Sequence, residues 1–113
     1  MSDFSVPNAV SAIVVPIKLR DYLLSHVHPV GRHKARAFAA CGYFDHNWDD
    51  FSAELKRHVV EGGVVQTIES EHGVKYIVEG NIACPSRQLF YLRSVWILEK
   101  GSVTPRFVTA YPG

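Results

Sequence analysis

The chain changes its hydrophobic rhythm about halfway along. Up to Gly62-Gly63 apolar residues recur at helical spacing, and from Val64 onward they alternate with polar ones. Ala12-Ile13-Val14-Val15 is a β-branched run closed by Pro16, which predicts an edge strand or extended segment. Ile17 to Ser25 sets Ile17, Tyr22, Leu23 and Leu24 on a helical stripe, with Pro16 in its first turn. A second helix is predicted over Arg32 to Cys41, with Ala35, Phe38, Ala39 and Cys41 inward and Gly42 as the residue that ends it. After a loop from Tyr43 to Asn47, a third helix runs from Trp48 to Glu61. Asn47 is its expected N-cap, Asp49 and Asp50 suit its first turn, and Trp48, Phe51, Leu55, His58 and Val59 form its buried stripe.

The second half predicts strands over Val64 to Glu69, Val74 to Gly80, Arg87 to Glu99 and Thr104 to Tyr111, separated by Gly-, Pro- and Ser-containing turns. Val74, Tyr76 and Val78 share a face, as do Phe90, Leu92, Ser94, Trp96 and Leu98. Strict alternation in the last strand puts Phe107, Thr109 and Tyr111 on one face and Arg106, Val108 and Ala110 on the other. Helices first and a four-stranded antiparallel meander after is an α+β plan. At 113 residues the chain supports one domain, read as 1–113 with a loose arm over residues 1–11.

Charge changes this picture more than composition does. The net charge is only +1, but Arg32, Lys34 and Arg36 stand without acids near the second helix. Arg87, Arg93, Lys100 and Arg106 face Glu99 alone near the C-terminus, and the acids concentrate between these blocks. A basic face forms if the fold joins them. Cys41 and Cys84 have no metal-ligand spacing and read as small buried thiols rather than a disulfide. No zinc spacing, Gly-rich phosphate loop or Gly-x-Ser-x-Gly elbow is present, so no metal and no cofactor is expected. No signal-peptide pattern or membrane-spanning run occurs, so a cytoplasmic protein without a membrane partner is expected.

The stretch with the most chemistry is His28-Pro29-Val30-Gly31-Arg32-His33-Lys34-Ala35-Arg36. It places cations and imidazoles at a helix entrance, where backbone N–H groups and the dipole already favour an anion. A solvated basic turn is the alternative reading. Paired with the C-terminal Pro105-Arg-Phe-Val-Thr-Ala-Tyr-Pro112, the His28-Pro-Val-Gly-x-x-Lys34-Ala start resembles a bacterial domain family of unknown function. Tyr22-Leu-Leu-Ser25 and Val78-Glu-Gly80 fit the same likeness. More distantly the chain is similar to the barnase/EndoU/colicin/RelE-like superfamily of small metal-independent ribonucleases, many of them toxins.

That resemblance implies N-terminal helices on a four-stranded sheet, and a site drawn from the helical part and the last strand. Residue by residue, it points to His28, Lys34, Thr109 and Tyr111, with Arg106 as a phosphate contact. It implies RNA as substrate and a small cognate antitoxin or immunity protein as partner. Metal-free RNA cleavage needs a base for the 2′-hydroxyl, an acid for the leaving oxygen and cations for the charged transition state. His28 has the right chemistry for base or acid, with His33 and then His26 competing for that role. Lys34 and Arg106 would stabilise charge, Thr109 would orient the phosphate, and Tyr111 would stack on a base or donate a proton. Arg32 and His33 are expected to assist in substrate binding. Arg106 joins Thr109 and Tyr111 at one opening only if a twist or bulge at Pro105 breaks the alternation. A non-catalytic RNA- or protein-binding module on the same fold stays open, as does a purely structural domain.

Overall fold

The structure, a computed structural model, describes residues 5–29 and 31–113; residues 1–4 and Val30 of the basic stretch lie outside it. The helices precede the sheet, as the change of period predicts. A short α1 (Pro16–Lys18) runs into a π-helical turn over Leu19–Leu23, and α2 (Arg32–Cys41) and α3 (Trp48–Glu61) follow. Strands β1 (Gly63–Ser70), β2 (Gly73–Ala83), β3 (Leu89–Glu99) and β4 (Arg106–Pro112) pair in the order β1-β2-β3-β4, every pair antiparallel. This is the expected α+β fold, with helices packed on one face of a four-stranded meander.

The core lies between the helices and the inner sheet face. Leu19, Leu23 and Leu24 of the π-turn, Phe38 of α2, and Phe51, Leu55 and Val59 of α3 meet Val78, Ile82, Leu92, Trp96, Phe107 and Ala110. Within it His58 is buried but fully used. Its Nε2–H donates to the Gly80 carbonyl at 3.1 Å, so Nδ1 accepts from the Ser94 hydroxyl at 2.8 Å. The Trp96 indole N–H donates to the same Ser94 oxygen at 2.8 Å. Burial, the largest influence, pushes the His58 pKa down, so the ring is held neutral.

Several expectations need correction. The first helix is a π-turn, closed by Leu24 N–H to Leu19 O at 2.8 Å. The wider turn rotates the stripe so that Leu19 is buried and Ile17 is 58% exposed. Asn47 precedes α3 but does not cap it. Its amide accepts from Phe44 N–H at 2.6 Å and donates to Gly42 O at 3.0 Å, closing the loop before the helix instead. In the expected loose arm, Val6 is buried, and Asn8 donates to the Val103 carbonyl at 2.7 Å.

Cys41 and Cys84 form a disulfide, against the reading of two free thiols. No motif announces the pairing because fold, not spacing, creates it. The end of α2 docks on the turn after β2, Ser86 N–H reaches the Cys41 carbonyl at 3.1 Å, and the two Cα atoms come within 5.2 Å.

The last strand departs most from its expected pattern. Val95 pairs with Thr109 but the next residue, Trp96, pairs with Phe107, so Val108 is an extra residue in β4. Such a bulge breaks the alternation. Phe107 and Ala110 both turn into the core, and Arg106, Thr109 and Tyr111 all fall on the outer face. The break that could gather these three exists, at Val108 rather than Pro105.

Candidate functional site

The helix entrance is built by a wired turn. The Ser25 hydroxyl accepts from the N–H groups of Val27 (3.3 Å) and His28 (3.2 Å), and the His28 carbonyl accepts from Arg32 N–H at 3.0 Å. Gly31 packs so tightly on the backbone of Tyr22 that a methyl group there would overlap the Tyr22 carbonyl. Glycine is required at this point for close approach. The turn thereby locks the start of α2 to the π-turn, and Ala35 and Phe38, both buried, seat the helix on the core. Lys34, on the neighbouring face, is left half-buried at the rim of the sheet.

From that rim the Lys34 ammonium donates to Thr109 Oγ1 at 2.9 Å, joining the two informative stretches across 75 positions of sequence. It also lies 5.7 Å from the ring centre of Tyr22 and 5.8 Å from that of Tyr111, a cation between two aromatic walls. An ammonium carries three donors, and Thr109 is the one acceptor it meets among the described residues. His28 adjoins this group through Tyr22, ring edge to face at 4.9 Å. Its Nδ1 accepts the Gly31 N–H at 3.1 Å, which places the proton of the neutral ring on Nε2.

The outer face continues the site in a direction the sequence did not indicate. Arg93 sits opposite Tyr111 in the β3–β4 register, and its guanidinium carbon is 5.9 Å from the Tyr111 ring centre. Arg93 pairs with Glu79, which also accepts from the Tyr91 hydroxyl at 2.8 Å. The Tyr91 hydroxyl first, and the Arg93 guanidinium second, hold the Glu79 carboxyl below the usual carboxylate range. The same Glu79 carboxylate pulls the Arg93 pKa up. Arg93 Nε is buried and meets no acceptor among the described residues. Register rather than motif places Arg93 here, since only the pairing of Arg93 with Tyr111 reveals the contact.

The structure therefore brings together Lys34, Thr109 and Tyr111, with His28 one ring away, and adds Tyr22, Arg93 and Glu79. It leaves the other predicted residues outside this cluster. Arg32 and His33 are exposed on the first turn of α2, and neither side chain makes a hydrogen bond, ion pair or ring contact among the described residues. Arg106 is on the correct face, but it pairs with Ile97, four residues along β3 from Arg93, and its guanidinium meets Glu99 at 2.7 Å. Among the described residues no group of three His, Cys, Asp or Glu side chains comes together to hold a metal. Lysine, arginine, hydroxyl and phenol groups around aromatic rings form a surface suited to an anion that also carries flat rings.

Residues 5–113 match the family described as "Domain of unknown function (DUF6883)", and the chain belongs to it. No curated protein matches the chain in sequence. Among solved structures, the fold is similar to that of a chain from the "Contact-dependent growth inhibition toxin - immunity protein complex from Klebsiella pneumoniae 342", at 19% identity and a TM-score of 0.72. The likeness covers 92% of this chain and 95% of that one. No helix among the described residues is long and apolar enough to cross a membrane.

Proposed function

We propose that this member of a family without an assigned function is a metal-independent, endoribonuclease-like toxin domain of a bacterial competition or toxin–antitoxin system. The observation that carries the reading is the Lys34–Thr109 hydrogen bond between Tyr22 and Tyr111. It unites the two sequence stretches whose residue types suit phosphate chemistry. In this reading the Lys34 ammonium and the Thr109 hydroxyl hold a phosphate oxygen and stabilise the charge that develops when the 2′-hydroxyl attacks. Tyr111 and Tyr22 flank the neighbouring base or ribose. The part-exposed Arg93 guanidinium beside Tyr111 adds positive charge near a second oxygen. A growth-inhibition complex sharing this fold supports a small immunity-type protein as the cognate partner.

His28 is the group whose role the geometry constrains most. With Nδ1 occupied by the Gly31 N–H, its Nε2–H is a hydrogen-bond donor. To act as a base at Nε2, or as a fully protonated acid, the ring must first give up the Gly31 bond. That observation favours a second reading, a non-catalytic RNA-binding module in which His28 only shapes the turn.

The test is cleavage of single-stranded RNA by the purified chain in EDTA, beside its His28→Ala variant. The nuclease reading predicts products with 2′,3′-cyclic phosphate ends. It also predicts a loss of roughly a hundredfold or more in His28→Ala with affinity little changed, the scale of acid–base catalysis. Binding without cleavage selects the second reading. Cleavage abolished by EDTA overturns the metal-independent mechanism.

A further inference from the structure

A second basic group lies on the same outer face, at the far end of β4. A cleft of about 350 Å³ there is lined by Lys18, Lys75 and Arg106 together with Val15, Ile17, Ile97, Phe107 and Val108. Three features make this more than a solvated patch. Lys18 and Lys75 have no ion pair among the described residues, and Arg106 has one, with Glu99. That pair is about half exposed on both sides, where such pairs contribute little and exchange readily. Part of the apolar lining is exposed as well, with Ile17 58% and Val15 37% accessible although both belong to the apolar pattern of the sequence. Cations around an uncovered apolar ledge match a ligand with charge on one edge and flat rings on the other.

The register then connects the two groups. Lys75, Ile97 and Arg106 form one row across β2, β3 and β4, and Ile77, Val95 and Thr109 form the next. Glu79, Arg93 and Tyr111 form the third. From the Arg106 row to the Thr109 row is two residues of β3, roughly 7 Å, and the Tyr111 row lies as far again. The bulge at Val108 puts both ends on one face.

We infer that Lys18, Lys75 and Arg106 form a distal subsite for the backbone of a single-stranded RNA whose reacting phosphate lies at Lys34 and Thr109. This rests on the ribonuclease reading above and adds its substrate class: an extended strand of several nucleotides, laid along β4, rather than a nucleotide or a dinucleotide. The reacting phosphate thus lies at the middle row, where the Lys34 ammonium meets Thr109 beside the buried Ile77 and Val95. Lys18, Lys75 and Arg106 then meet the neighbouring phosphate, which a dinucleotide with its single phosphodiester does not carry.

The test compares the parent with Lys18→Gln/Lys75→Gln/Arg106→Gln, all exposed positions, using a dinucleotide and an octanucleotide of one sequence. The parent is expected to bind and cleave the octanucleotide at least tenfold better. The triple variant should lose most of that advantage, lower the slope of log affinity against log salt by about two to three, and treat the dinucleotide as the parent does. If the parent acts on both RNAs and the variant matches it on the octanucleotide, the subsite is wrong and the ribonuclease reading stands. The subsite is also wrong if the variant instead loses binding only of an acidic immunity-type protein. A parent that neither binds nor cleaves either RNA overturns both.

Discussion

At the residue scale the candidate site rests on a few paired side chains. Lys34 spends one donor on Thr109 and keeps the others for a ligand. Thr109→Val keeps the β-branched shape and removes the acceptor. It should leave thermal stability nearly unchanged while lowering RNA turnover about tenfold, the scale of one hydrogen bond worth about 1–1.5 kcal/mol. His58 supplies a different prediction. Its folded-state pKa lies below the ordinary imidazole value of 6.5 because it is buried. On acidification the unfolded chain takes up the proton first. The stability His58 contributes is therefore complete above that value and is lost as the pH falls below it. Melting temperature followed from pH 7.5 to 5 should fall in the parent and stay flatter in His58→Gln. That window lies above the range where Glu54 and Glu79 titrate, since both have lowered pKa values. An unchanged pH slope in the variant would assign the acid sensitivity elsewhere.

At the element scale, α2 is positioned at both ends. At its start Gly31 lies against the Tyr22 carbonyl. Gly31→Ala should therefore cost about 1–3 kcal/mol as an overpacking change and pull Lys34 from Thr109, so that a lowered melting temperature and weakened RNA binding appear together. At its end the Cys41–Cys84 bond closes a separation of 43 residues. Reducing it, or making Cys41→Ala/Cys84→Ala, should lower unfolding free energy by about 2–4 kcal/mol in denaturant titrations. No change would mean that packing alone holds the end of α2. The boundaries of α2 and α3 and the inner faces of β2 and β3 were legible in the sequence, because each follows one uninterrupted period. What was not legible depends on a broken period or on two distant segments meeting. The π-turn at Leu19–Leu23 and the bulge at Val108 shift the pattern by one residue, and composition carries no mark of either. The disulfide and the Arg93–Tyr111 contact exist only once α2 and the strands are docked. The candidates His28, Lys34, Thr109 and Tyr111 were named from residue type and resemblance, and the fold sets Lys34, Thr109 and Tyr111 side by side, while simple alternation separated Arg106 from Thr109 and Tyr111.

At the scale of the whole molecule, the sheet divides the labour. Its inner face carries the apolar core and the neutral His58–Ser94–Trp96 network, while its outer face carries Lys75, Arg93, Arg106, Thr109 and Tyr111, open to a ligand. A net charge of +1 hides this arrangement because the acids are spread over other surfaces or paired with Arg93 and Arg106. Long-range attraction of RNA should therefore be modest and local contacts decisive. The most direct measurement is single-turnover cleavage of a single-stranded RNA by the parent and by Lys34→Ala, in EDTA and at saturating protein. Removing a cation that meets the developing charge should lower the rate by about 10²–10³, with the variant still folded by its melting curve. Equal rates for parent and variant, or no cleavage by the parent at saturation, would contradict the assignment of this cluster as a ribonuclease site.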